Sequence, residues 1–560
     1  MDKPWLEKYE AHVPASLEYP DKTLPQLLAE MARRFPDRAA TIFFKARLSY
    51  GQLDDLVSRC AAGLQQLGVQ KGDRVAILAP NSPQYVIAYY GILRAGAIAV
   101  PCNPLYVARE LQHQVKDSGA KVIVTLSRFY PVVKEAQPGT PLEHIIVTNI
   151  KEYFPPILRL LFTLVKEAKE GHRVDISQDP QARWFQPFLS GAPATPQPVD
   201  VALDDTAVLL YTGGTTGVPK GAELSHRNIV VNAVQTRVWF NAQEGQETVL
   251  AALPLSHSYG MTTAMNFPII AGATMLLIPN PRDIKDVLQN IHRFRPTAYP
   301  GVPTMYVAIN NYPELGKYRL DSIKACISGG APLPVEVQKR FQEITGAKLV
   351  EGYGLSETSP VTHANPIYGE NRIGTIGLPW PDTDARIFDV ETGTREMRVG
   401  ETGELAIRGP QVMKGYWNRP DETALVLRNG WLYTGDIARM DANGYFQIVD
   451  RKKDMIIAGG FNIYPRDIEE VLYEHPKIKE AVAVGLPDPH RGETVKAYVV
   501  LKPGETATAE EIIEYCRGKM ARFKVPTAVE FRAELPKTMV GKILRRVLRE
   551  EELAKQSKTS

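Results

Sequence analysis

Residues 211–221 read Tyr-Thr-Gly-Gly-Thr-Thr-Gly-Val-Pro-Lys-Gly. Side chains of these types can hold a polyanion. Glycines such as Gly213, Gly214 and Gly217 let backbone N–H groups approach phosphate oxygens and adopt positive φ. Thr212, Thr215 and Thr216 add hydroxyls, and Lys220 adds a point charge. The stretch is not a Walker A loop, which places Ser or Thr directly after Gly-Lys. Here Pro219 precedes Lys220 and Gly221 follows it. A Gly/Thr loop standing alone would read as a surface turn. The apolar run 207–211 (AVLLY) reads as a buried strand leading into it, and that context favours phosphate binding.

Four further segments carry groups of use to a nucleotide. In 351–358 (EGYGLSET), Tyr353 offers a flat ring beside the flexible Gly354. Glu357 offers the hard oxygen that a magnesium ion takes beside a triphosphate. With Gly329 and Gly330, the ring could sandwich a purine; the plain alternative is a strand and turn with a solvated Glu. Segment 429–436 (NGWLYTGD) ends in Asp436, whose carboxylate can accept two hydrogen bonds from a ribose diol, or which merely closes a turn. In 450–460, Arg451 could reach ribose or phosphate, Lys453 stands where the chain changes texture, and Gly459-Gly460 can flex; a charged linker is the alternative. In 536–546 (PKTMVGKILRR), Gly541 would present Lys542 at a loop tip, where a mobile lysine can neutralise charge developing on oxygen. A basic tail on a solvated helix has the same spacing.

The elements that must position these groups alternate. Strands are expected at 74–79, 97–100, 121–125, 144–148, 273–278, 323–328 and 348–350, and helices at 20–35, 53–67, 84–95, 283–293 and from 334. Such alternation predicts a largely parallel sheet covered on both faces. Ligands of parallel sheets bind beyond the carboxyl ends of the strands, so the loops after Tyr211, Ser328 and Val350 should share one crevice. From about 370 to 452 the texture changes to short alternating strands, read as a β subdomain. The fold class is therefore α/β: a large N-terminal domain over 1–452, with the β subdomain inside it, followed by a small α+β domain over 453–560. Segment 157–165 (ILRLLFTLV), flanked by Lys151, Lys166 and Lys169, is too short to span a bilayer. It reads as a helix packed on the protein's own core, the alternative being a basic helix lying on a membrane surface.

The totals narrow the function. At 560 residues the chain holds more than one domain. A hydrophobic share of 44% and a charged share of 23% are those of a globular protein. A net charge of +3 does not make nucleic acid a partner. Cys60, Cys102, Cys326 and Cys516 lie far apart, which speaks against a metal site or disulfide framework and for a reducing cytosol. The start, MDKPWLEK, lacks the apolar core of a signal peptide.

Taken together, the five motifs resemble, in order and approximate spacing, the adenylate-forming enzymes: acyl-CoA synthetases, luciferases and peptide-synthetase adenylation domains. Over nearly the whole chain, the likeness is greatest to bacterial long-chain fatty-acid–CoA ligases, with 429–453 similar to their signature. The resemblance implies two half-reactions: ATP and a carboxylate give acyl-adenylate and pyrophosphate, and the coenzyme A thiol then gives the thioester and AMP. It implies a phosphate loop from Thr212 to Lys220 and an adenine-side loop of Gly329, Gly330 and Ala331. It implies Tyr353 on adenine, Thr358 beside the adenylate phosphate, and Glu357 with Thr216 for Mg²⁺. Asp436 and Arg451 would hold the ribose. Lys453 would be the hinge, Gly459 and Gly460 would lie on the CoA side, Lys542 would serve adenylation, and His257, in 254–259 (PLSHSY), would sit near the reacting carboxylate. Met261 stands where some relatives place a tryptophan gate. The implied partners are long-chain fatty acid, ATP and CoA, with a homodimer and peripheral contact at the inner face of the cell membrane as further options in a cytoplasmic protein. A fatty acyl-AMP ligase, a medium-chain or aryl-CoA ligase, and a fatty-acid uptake protein without catalysis are the competing readings; the presence of Lys542 and Glu357 argues against the last.

Overall fold

The computed structural model describes residues 3–212, 219–458, 461–488, 491–538, 541 and 543–557. The expectations for Gly213, Gly214, Thr215, Thr216, Gly217, Gly459, Gly460 and Lys542 lie outside the described residues.

Among these residues, eight strands form one sheet in the order Gly415–Tyr416, Lys220–Ser225, Thr206–Thr212, Ile98–Pro101, Arg74–Leu78, Val122–Leu126, His144–Thr148 and Ala182–Trp184. Every neighbouring pair from Thr206–Thr212 onward is parallel. Parallel neighbours need a crossover, and helices Pro83–Arg94, Ala108–Ser118 and Tyr130–Ala136 supply them. A second sheet runs Thr248–Ala251, Thr274–Leu277, Ala39–Phe43, Ala46–Ser49. Single bridges from Val249 through Ala298 to Ala325 join it to Ala325–Ser328, Lys348–Gly354, Val361–Ala364 and Leu378–Pro379. Between 384 and 451 five short strands pair antiparallel, as the alternating texture predicts.

Beyond Arg451 the chain builds a hairpin of Ile478–Asp488 and Gly492–Leu501, packed by helices Pro465–Tyr473, Ala509–Arg517 and Arg545–Ser557. Its buried residues form clusters of their own, from Ile456 on, apart from the main core that ends at Phe446. A buried polar joint ties the two parts. Asp450, buried on strand Phe446–Arg451, accepts from the Arg466 amide at 2.8 Å, and the Arg466 guanidinium donates to the Ile448 carbonyl at 2.8 Å.

Some expectations need correcting. The helix read from 53 begins at Tyr50, because Ser49 and Gln52 form a reciprocal cap upstream of the apolar periodicity. The strand read over 348–350 continues to Gly354, pairing antiparallel with Val361–Ala364. Gly354 allows this: a Cβ there would stand 2.1 Å from the Pro360 carbonyl oxygen. Segment 157–165 also departs from its reading. Helix Pro156–Val165 buries Phe162 but leaves most of its apolar side chains outside the core. Among the described residues, no helix is long and apolar enough to cross a membrane.

Candidate active site

The ends of three sheets meet at a cavity of about 870 Å³. Thr212 and Lys220 enter from the eight-stranded sheet, Gly329, Gly330 and the 352–357 segment from the second, Arg451 from the antiparallel strands and Lys453 from the turn just beyond them. Thr212 and Lys220 therefore share one crevice with the loop after Ser328 and the continuation of the strand beyond Val350, beyond the carboxyl ends of parallel strands where ligands of such sheets bind.

On the phosphate side, Lys220 is nearly buried and its ammonium lies 5.3 Å from the centre of the Tyr416 ring. It is ion-paired with Glu422, which also faces Arg419 at 3.7 Å. The Tyr416 hydroxyl donates to Glu357 Oε1 at 2.8 Å. One short chain of groups thus connects the lysine, an aromatic ring and the acid. Ser356, beside Glu357, lies 3.2 Å from the Ser258 hydroxyl.

The nucleoside side is built by a hairpin. Strands Trp431–Met440 and Phe446–Arg451 place Asp436 directly opposite Arg451. The arginine Nε lies 3.1 Å from Asp436 Oδ1, and the carboxylate is 3% exposed. Its other oxygen accepts from the Tyr353 hydroxyl at 2.5 Å. Burial and this carboxylate hold the Tyr353 phenol well above its usual range, so it stays a donor. Tyr353 is set edge-on to His363, with centroids 6.0 Å apart. A Cβ at Gly329 would come within 3.1 Å of the Tyr259 ring, and Gly330 has φ +81, so both positions suit glycine.

Of the remaining expected residues, Thr358 and Ala331 do not line the cavity. Thr358 is fully buried, and its hydroxyl is occupied by the carbonyls of Leu355 and Pro360 within its own turn, so it holds the turn instead of facing the cavity. His257 lines the cavity, with Nδ1 accepting from the Tyr259 amide at 3.2 Å. Met261 is fully buried in the helical turn Met261–Asn266.

Sequence reasoning missed Tyr416, Arg419, Glu422 and Glu404, all of which line the cavity. It also missed Glu351, whose carboxyl accepts from the Leu333 amide at 3.2 Å behind the 329–331 loop. Burial pushes that carboxyl up to about 7, with Arg466 and the Leu333 amide opposing and Glu470 adding to the rise. The GYWNRPDETA run carries three of these residues, but a two-residue strand almost two hundred positions from its partner has no periodicity to reveal it.

The AMP-binding enzyme family matches residues 28–417, and the AMP-binding enzyme C-terminal domain matches 467–542. A long-chain-fatty-acid–CoA ligase of Bacillus subtilis (strain 168) is 49% identical over 554 residues, covering 98% of each chain. One from Yersinia pestis is 43% identical over 560 residues, covering 99% of each. Among solved structures, ATP-bound MatB from Rhodopseudomonas palustris superposes with a TM-score of 0.82 at 29% identity, over 95% of this chain and 99% of that one. The apo form of the same protein gives 0.72 over the same shares.

Proposed function

The chain belongs to the AMP-binding enzyme family, and from that premise we propose that it is a long-chain fatty-acid–CoA ligase, joining acid to thiol with ATP cleaved to AMP and pyrophosphate. The observation that carries this reading is the convergence of Lys220, Tyr353, Glu357, Asp436 and Arg451 on one cavity or its wall.

In this reading Asp436 and Arg451 hold the ribose, Tyr353 lies against the base, and Thr212 and Lys220 bracket the phosphates. An oxygen of the fatty acid attacks the α-phosphorus and pyrophosphate leaves. A carboxylate is a poor electrophile, whereas the mixed anhydride formed has a good leaving group. Lys220, together with Lys542, offsets the negative charge gathered around the α-phosphate. The CoA sulfur then attacks the acyl carbon and AMP departs. His257 borders the reacting carboxylate, and Lys453 marks the hinge on which the 453–560 domain turns between halves, with Gly459 and Gly460 on the CoA side.

Glu357 suits a magnesium ion. Its carboxylate lines the cavity and one oxygen is oriented by Tyr416. Among the described residues no group of three His, Cys, Asp or Glu could hold a metal. A lone carboxylate fits an ion whose remaining ligands are phosphates and water. With Thr216 it would hold Mg²⁺, which when bound neutralises phosphate oxygens. A homodimer and peripheral membrane contact complete the proposed partners.

The test is AMP release with ATP and Mg²⁺ across carboxylates from acetate to oleate and benzoate, with and without CoA. CoA-dependent turnover peaking at long chains is the expected result. A peak at short or aromatic acids overturns the substrate. Pyrophosphate release indifferent to CoA would make the chain an acyl-AMP ligase instead.

A further inference from the structure

The ion pair between Lys220 and Glu422 is one end of a longer chain of charges. One Glu422 oxygen meets Lys220, and the other lies 3.7 Å from Arg419 Nε. That separation is too long for a hydrogen bond, and closing it by about 0.8 Å would make one. Lys220, Arg419 and Glu422 all line the cavity.

Arg419 is held from behind. Its guanidinium donates to Asp117 Oδ1 at 2.8 Å, across 302 positions of sequence. The other Asp117 oxygen accepts from the Tyr211 hydroxyl at 2.7 Å. Burial, and then the Asp117 carboxylate, hold that phenol well above its usual range, so it stays a donor. Both oxygens of Asp117 are thus committed, and its side chain is only 16% exposed.

The helix that carries Asp117, Ala108–Ser118, is itself anchored. Gln114 donates to the Pro101 carbonyl at 2.8 Å, and Arg74 donates to the Ser118 and Gly119 carbonyls at 2.7 and 3.2 Å. One turn before Asp117, His113 Nε2 lies 3.2 Å from the Pro219 carbonyl oxygen. That oxygen can only accept, so this nitrogen carries the hydrogen. On the other side, the Thr423 hydroxyl accepts from the Tyr416 amide at 2.9 Å and donates to the Arg419 carbonyl at 2.8 Å, tying Arg419 and Glu422 into one turn. The guanidinium is therefore fixed, while Glu422 stands between two cations.

A polyphosphate that reaches Lys220 must displace Glu422. The carboxylate would then stand beside incoming negative charge without a cation, which is unfavourable in a partly buried place. Arg419 offers it a new partner less than one turn away. A guanidinium can serve two carboxylates through different nitrogens, which a point-charge ammonium does less well.

We propose that Arg419 is a positioning residue for the phosphate side: held by Asp117, it takes Glu422 when a polyphosphate takes Lys220. Two cations and two carboxylates then exchange one partner, and none is left unpaired. This rests on the reading of this end of the cavity as the phosphate side.

Binding of ATP with Mg²⁺, and of adenosine, is measured by calorimetry on the full chain without a carboxylate substrate, so that no turnover enters. Arg419→Gln is expected to weaken ATP about tenfold, the worth of one hydrogen bond to a charged group, and to leave adenosine unchanged. In a Glu422→Gln background the same substitution should cost ATP almost nothing, because no carboxylate is left to rehouse. If Arg419→Gln proves unstable, Arg419→Lys replaces it. The lysine keeps a charge but not two separately directed nitrogens, and its loss must likewise vanish with Glu422→Gln. Unweakened ATP binding, a matching loss for adenosine, or an equal loss in both backgrounds overturns the proposal; the last would make Arg419 a direct phosphate ligand. If the unaltered chain binds ATP no tighter than adenosine, the phosphate-side reading falls as well. Phosphate-dependent binding that is indifferent to Arg419 overturns this proposal alone.

Discussion

The Tyr416 hydroxyl donates to the Glu357 carboxylate at 2.8 Å, although the two residues stand 59 positions apart. Tyr416 arrives on a two-residue strand paired with Lys220–Ser225, the strand that begins with the phosphate-side lysine. The orientation of the proposed magnesium acid is therefore set by the same sheet edge that sets Lys220. Glu357→Ala should move the Mg²⁺ titration of turnover to much higher concentration. Tyr416→Phe should move it the same way by about tenfold, the worth of one hydrogen bond to a charged group. An unchanged titration in Glu357→Ala rejects the acid as a ligand.

Lys220 is paired with Glu422, and the pair is only 10% and 30% exposed at its two side chains. A phosphate can use the lysine's charge fully only by displacing that carboxylate. Glu422→Gln should therefore lower KM for ATP several-fold with little change in kcat. A raised KM would mean that Glu422 positions the lysine and does not compete with phosphate.

Tyr353 and Arg451 both satisfy the nearly buried Asp436 carboxylate. Tyr353→Phe keeps the ring and removes one donor. An unsatisfied buried acceptor costs about 1–3 kcal/mol, so KM for ATP should rise about tenfold while the response to fatty acid stays constant. Equal losses against both substrates would place the effect elsewhere in the site.

Glu351 binds its proton more tightly in the folded chain, at about 7, than an exposed Glu does. The folded state therefore carries the extra proton between roughly pH 4 and 7, and this group's contribution to stability declines as pH rises through that window. Above it, a charged carboxylate is held in a buried place. Glu351→Gln retains an acceptor for the Leu333 amide and should stabilise the protein at pH 8 by up to about 3 kcal/mol, with little gain at pH 4.5. Thermal unfolding at the two pH values checks this; equal shifts would exclude titration as the cause.

Most of the scaffold was legible because its parallel strands are short apolar runs separated by helical periods; strand His144–Thr148 and helix Ile284–Phe294 fall within a residue of their expected limits. The glycine-rich approach at Gly354 and the facing pair Asp436 and Arg451 lay in motifs whose residue types announce their chemistry. Tyr416 and Glu422 were not legible, because contacts across the sheet edge carry no local signal. Thr358 shows the reverse case: a hydroxyl suited to phosphate is taken by its own turn. Helix Pro156–Val165 read as core because amphipathicity alone does not say which medium meets the apolar side.

Asp450 belongs to the last strand of the antiparallel sheet, yet the amide it accepts, that of Arg466, lies in the first turn of a helix beyond the proposed hinge. Burial pushes its carboxyl up to about 6, opposed by that amide, Arg545 and the Arg451 amide, with Glu469 adding to the rise. Rotation about Lys453 that parts strand from helix would expose the carboxyl and return it towards an ordinary value. The movement then has a proton stoichiometry of its own: most of a proton released per swing at pH 5, and almost none at pH 8. Acid would hold the joint closed, so a step that involves no proton in its bond-making would still slow on the acid side whenever turnover waits on the rotation.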